Sequence, residues 1–158
     1  MKIVVSLLTV LFSAFLHAEV DLVKVDKSER KMYLLRGESI VKEYKISLGA
    51  NPNGHKEKEG DERTPEGIYT LDYIKEDSSF YKAMHISYPN QLDKENAKKK
   101  GINPGGFIMV HGQKNGTGWL SSVSQNFDWT NGCIAISNKE MDEFLSFVKV
   151  GTKIQIEW

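Results

Sequence analysis

Apolar and polar residues alternate with a period of two over much of the chain, and that period predicts strands. VDLVKV (20–25) alternates in this way, as do KMYLLR (31–36) and SIVKEYKISLG (39–49), with Gly37-Glu38 between the last two as a hairpin turn. IYTLDYI (68–74) and KAMHISYP (82–89) alternate, the second halted at Pro89. GGFIMVHG (105–112) is nearly continuously apolar and predicts a buried strand, CIAI (133–136) a brief one, and TKIQIEW (152–158) a closing one. Two segments carry a helical signal instead. In NQLDKENAKKKG (90–101), Asn90 is placed to cap, Asp93 follows three residues on, lysines crowd the last turn and Gly101 ends it. In SNKEMDEFLSFV (137–148), Ser137 and Glu140 form a capping box, and Met141, Phe144, Leu145 and Val148 recur at the spacing of one helix face. Two long polar stretches, 50–67 and 113–132, read as loops, and long loops inside a compact domain are often functional. Some seven strands and two short helices predict a mainly β domain with a minor α part and a sandwich-like core.

The first 18 residues break this pattern. Lys2 is followed by an apolar run from Ile3 to Leu16 and then Ala18, which reads as a secretory signal peptide cut after Ala18, leaving residues 19–158 as the mature domain. The run is shorter than the roughly 20 residues needed to span a bilayer, so membrane contact is expected only through an uncleaved signal peptide. Export places the chain in an oxidising compartment, the periplasm. With 21 basic and 21 acidic residues among 158, the charge balance gives no pull toward nucleic acid.

Cys133 is the single cysteine. An unpaired thiol in an exported chain is either a reactive group or a small buried hydrophobe, and composition favours the second. Of the histidines outside the leader, His55 lies in a charged loop and His85 in a strand. His111 ends the most apolar strand, immediately before a loop, and Cys133 follows that loop after 22 residues. If their strands are neighbours, imidazole reaches sulfur, as a Cys–His acyl-transfer pair requires. The three histidines share no zinc-ligand spacing, and neither a metal nor another cofactor is expected.

These residues resemble the YkuD-type L,D-transpeptidase catalytic family, in which a histidine followed by Gly or Ser precedes a Ser/Thr-x-Gly-Cys turn. The matching positions are His111, Gly112, Thr130, Gly132 and Cys133; GDERTPEGIYTL resembles the family's Thr-Pro-x-Gly segment and GGFIMVHG its strand into the histidine. Asn131 stands where many members carry His or Arg, Ala135 where many carry Arg or Asn, and the His–Cys loop is longer than usual. The segments GDERTPEG, ISYPN, GGFIMVHG and DWTNGCIAISNKEMDEF are closer in form to the YafK-like branch, and resemblance to that branch implies that some members hydrolyse peptides linked to peptidoglycan.

The resemblance implies a YkuD-like β-sandwich with a long loop between the catalytic His and Cys, and a division of labour. Cys133 attacks a stem-peptide carbonyl at meso-diaminopimelate, His111 moves the proton, and the Gly112 carbonyl holds the imidazole tautomer. N–H groups of the Asn131–Gly132–Cys133 turn stabilise the oxyanion, and Thr130 orients that turn. It implies peptidoglycan stem peptides as partners, with wall-anchored lipoprotein as a further substrate, and either an amine or water as acceptor.

Overall fold

The computed structural model describes residues 19–158, so the signal-peptide expectation for 1–18 lies outside the described residues. The first hairpin is as the alternation predicts: β1 (Leu22–Asp26) pairs antiparallel with β2 (Lys31–Arg36), and β2 with β3 (Ser39–Lys45). Their inward positions, Val23, Val25, Met32 and Leu34, are fully buried. Burying such a side chain is worth about 1.5–3 kcal/mol. β8 (Lys153–Glu157) returns the end of the chain to lie parallel beside β1, adding Ile154 and Ile156 to the same core.

The long β4 (Gly67–Ser78) joins two halves of the sheet. Its first residues pair with β8 and the remainder with β5 (Tyr81–Ile86), across two register shifts. β5 pairs antiparallel with β6 (Met109–His111), and β6 pairs parallel with β7 (Ile134–Ala135). The order is β3-β2-β1-β8-β4-β5-β6-β7, and its ends approach each other. Beyond β3 the chain crosses to β7, where Ser47 and Ala135 exchange two 2.9 Å backbone hydrogen bonds. The sheet thereby folds back on itself, shielding its edges and enclosing one core.

Both predicted helices form with both capping boxes. α1 (Gln91–Lys100) is capped by Asn90 and Asp93, and α3 (Asn138–Phe147) by Ser137 and Glu140. Each N-cap is worth about 1 kcal/mol. Met141, Phe144 and Val148 are buried, as the spacing implies.

Three segments differ from the sequence expectation. The strand expected over 39–49 ends at Lys45, because residues 47–50 leave β2 for the opposite edge. The strand expected over 105–112 shrinks to Met109–His111, because Gly105 (φ 74°) and Phe107 (φ 56°) take left-handed conformations that break a ladder. The loop 113–132 contains a 3₁₀ turn, Gly118–Leu120, and a one-turn helix α2, Ser121–Ser124.

The other long loop, 50–67, is pinned at both ends. Lys27 is fully buried, and its ammonium donates to the Gly54 carbonyl (2.8 Å), the Thr64 carbonyl (3.0 Å) and Glu66 Oε1 (2.8 Å), so all three of its protons are satisfied. Burial pushes the Asp61 carboxyl upward, but hydrogen bonds from Lys56 and from the backbone of Lys58, Glu57 and Arg63 outweigh it and hold the group down at about 2. These anchors deliver the Arg63 carbonyl to the cysteine turn described below.

Candidate active site

His111 closes β6 and is flanked by Ala83 on β5 and Ala135 on β7. Paired residues on parallel strands point to the same face, and side chains repeat every two residues. Cys133 lies two positions before Ala135, so sulfur and imidazole share a face. Their offset is about one strand spacing across and two residues along, roughly 5 by 7 Å between backbones. Both side chains open on one cavity of about 230 Å³, which Ser78, Phe80, Met109, Trp129 and Asn131 also line.

The imidazole is held in one tautomer. Nδ1 lies 2.6 Å from the Gly112 carbonyl oxygen. A carbonyl only accepts, so Nδ1 carries the proton and Nε2 of the neutral ring presents a lone pair. His111 is 4% exposed, and burial pushes its pKa below the ordinary 6.5, only partly offset by the Gly112 bond. The base form therefore persists to lower pH than in a free histidine. Gly112 itself is fixed by an N–H bond to the Lys82 carbonyl (3.1 Å). A Cβ on it would stand 2.7 Å from Asn138 Oδ1 and 2.9 Å from Tyr81 Cβ.

Cys133 is half-buried, and its thiol donates to the Phe107 carbonyl at 3.7 Å. Burial pushes its pKa above the ordinary 9.0, against the pull of the Met109 N–H and the Lys56 charge. The resting pair is thus a neutral thiol beside a neutral imidazole, not a preformed thiolate–imidazolium pair. Alkylation of Cys133 should then rise with pH in two steps, the first below 6.5 as His111 loses its proton and the second above 9.0 as free thiolate forms. Thiolate absorbance should be absent near pH 7; full thiolate absorbance there would contradict this assignment.

The turn before the cysteine is built by Thr130, which is 4% exposed. Its hydroxyl donates to the Cys133 carbonyl (2.7 Å) and accepts the Gly132 N–H (3.1 Å). The Gly132 donor is therefore engaged inside the turn, which narrows the expected oxyanion donors to the N–H groups of Asn131 and Cys133. Asn131 is exposed at the cavity mouth. Gly132 has φ 119°, and a Cβ there would lie 2.6 Å from the Arg63 carbonyl oxygen.

The remaining histidines are elsewhere. His55 accepts the Glu66 N–H at Nδ1 (3.0 Å) and meets Asp93 at Nε2 (3.2 Å). His85 pairs with Asp72 (2.7 Å) and stacks on Tyr73. Among the described residues no group of three or more His, Cys, Asp and Glu side chains is placed to hold a metal. Trp129 lines the cavity, Trp119 is 78% exposed, and Tyr88 is buried with its hydroxyl on the Lys56 and Pro104 carbonyls. Phe80 borders the site without any signal in the local sequence, because only strand pairing brings it there, whereas Phe107 and Met109 reach it on the segment that leads into His111.

A cysteine, a tautomer-fixed histidine and a Gly-Cys turn thus border one cavity, the residue types that nucleophilic acyl transfer by a thiol requires. The chain belongs to the L,D-transpeptidase catalytic domain family (YkuD), whose family model matches residues 21–156. It is 30% identical over 132 residues to YafK of Escherichia coli (strain K12), an alignment covering 80% of this chain and 46% of that protein. The chain thus spans about half the length of the curated relatives it matches. Among solved structures it is similar to the helical cell shape determining protein Pgp2 of Campylobacter jejuni (K307A mutant; 29% identity, TM-score 0.66, 87% of this chain and 47% of that one). The L,D-transpeptidase of Xylanimonas cellulosilytica shares the fold (15% identity, TM-score 0.58, 89% of this chain and 61% of that one).

Proposed function

We propose that the protein is a periplasmic cysteine L,D-transpeptidase acting on peptidoglycan stem peptides. The observation that carries this reading is the opening of Cys133 and His111 onto one cavity, with the Gly112 carbonyl fixing the imidazole so that Nε2 accepts a proton. Sγ adds to the carbonyl carbon on the L-centre of meso-diaminopimelate, and the thiol proton passes to His111 Nε2. The N–H groups of Asn131 and Cys133 face the developing oxyanion, a contribution of about 3 kcal/mol per donor. The carbon–nitrogen bond breaks, His111 returns the proton to the departing amine, and a thioester to Cys133 remains. An incoming amine, whether a second stem or a wall-anchored lipoprotein, attacks that thioester and restores the thiol.

Incubating the protein with purified muropeptides, with and without a free D-amino acid, and weighing the products tests this reading. Exchange of the terminal residue for the added D-amino acid is expected. Shortened stems alone would make water the acceptor and the protein a peptidoglycan hydrolase of the same fold. Unchanged muropeptides in both conditions, with Cys133 verified as free thiol, would contradict both.

A further inference from the structure

The hairpin between β4 and β5 has only Ser79 and Phe80 between its paired ends, Ser78 and Tyr81. The residue after this tip, Tyr81, has φ 68°. A left-handed conformation for a bulky aromatic residue costs about 1–3 kcal/mol and persists where surrounding contacts impose it. The contacts here come mostly from one residue of the His111–Cys133 loop. Asn115 Oδ1 accepts the Tyr81 N–H (2.8 Å), its side-chain amide donates to the Ser78 carbonyl (3.0 Å), and its backbone N–H donates to the Ser79 carbonyl (3.0 Å). Tyr81 is held again at its far end, where the hydroxyl donates to Asp142 Oδ2 (2.8 Å).

This strained tip turns Phe80 onto the imidazole. The two ring centroids are 4.6 Å apart with their planes tilted by 38°, and Trp129 completes a triangle of rings at 5.8 Å from His111 and 6.0 Å from Phe80. Resting on the catalytic reading above, we propose that Phe80, latched by Asn115, is a positioning residue that clamps the His111 ring so that Nε2 faces Cys133. The tilted ring packs against the imidazole, keeps water from that side and limits rotation, while the Gly112 carbonyl fixes the tautomer at the edge. The charged groups on the surrounding elements are engaged with other partners. Lys82 on β5 pairs with Asp142 on α3 (2.9 Å), His85 on β5 with Asp72, and Asp128 beside Trp129 with Arg30 (2.8 Å). Within the cavity Cys133 is the other titratable group.

The test is the pH profile of Cys133 alkylation by iodoacetamide, which needs no wall substrate. Phe80→Ala should lower the plateau rate about tenfold and move the acid limb to higher pH, toward the ordinary 6.5. Phe80→Tyr, which keeps the ring, should restore both. Asn115→Ala should reproduce the same change, and the double variant should be no worse than either single one, since both act through one contact. Unfolding midpoints identify any variant that fails to fold, and Phe80→Leu then supplies the comparison. A folded Phe80→Ala or Phe80→Leu chain with rate and limb within twofold of the parent overturns the clamp. His111→Asn separates the two levels of the argument: an unchanged profile in that variant overturns the Cys–His pair itself and not merely Phe80's part in it.

Discussion

Cys133→Ser is expected to lose stem-peptide turnover by at least about 10⁴-fold while unfolding at the same urea concentration as the parent chain. The reasoning is chemical. His111 is a weakened base, because burial holds its pKa below the ordinary value. Such an imidazole can take a proton from a thiol as the sulfur–carbon bond forms, but a hydroxyl is far less acidic and gains no comparable assistance. The fold should be nearly indifferent, since Cys133 is half-buried and its sulfur makes one long 3.7 Å contact to the Phe107 carbonyl beside the Met109 N–H, a polar surrounding that a serine hydroxyl suits. Substitutions of that kind usually change stability by less than about 1 kcal/mol. Turnover within tenfold of the parent would remove sulfur from the mechanism.

Gly132→Ala should damage both stability and turnover. Two costs add at this position. The backbone φ of 119° suits glycine and penalises any residue with a Cβ, by about 1–3 kcal/mol. The new methyl would also stand 2.6 Å from the Arg63 carbonyl oxygen and 3.2 Å from Ile108 Cδ1. The Arg63 backbone cannot easily yield, because Asp61 accepts its N–H and the next residue, Thr64, is tied to Gly49 and Lys27. The cysteine turn must therefore move, breaking the 3.1 Å bond from the Gly132 N–H to Thr130. A displacement of about 1 Å costs on the order of 10²-fold in rate. Urea unfolding and muropeptide turnover should show a loss of about 3 kcal/mol and of 10²-fold or more; changes under twofold in both would mean that the turn is not under this constraint.

What the sequence reveals about the fold is what is local. Alternation finds β1, β2 and β8, where one face meets the core at every second residue. The capping boxes at Asn90 and Ser137 place both long helices to within a residue. Apolarity alone misplaces the start of β6, because Phe107 is 79% exposed on a left-handed turn and not inside a strand. The site divides in the same way. The pair His111 and Cys133 can be found from motif and spacing, and the carbonyl role of Gly112 follows from family resemblance. The ring of Phe80 over the imidazole is invisible, because it depends on pairing of β4, β5 and β6 from distant segments and on a turn held by Asn115. The engagement of the Gly132 N–H by Thr130 is likewise a consequence of turn geometry, which residue identity alone does not specify.

The most direct measurement is the mass of the intact protein mixed briefly with a tetrapeptide stem, followed by peptide mapping. The account predicts an adduct equal to the acyl portion of the stem, attached to Cys133 through a hydroxylamine-labile thioester, and absent from Cys133→Ser. Turnover of the stem with no adduct on Cys133, or with an adduct on another residue, would contradict it.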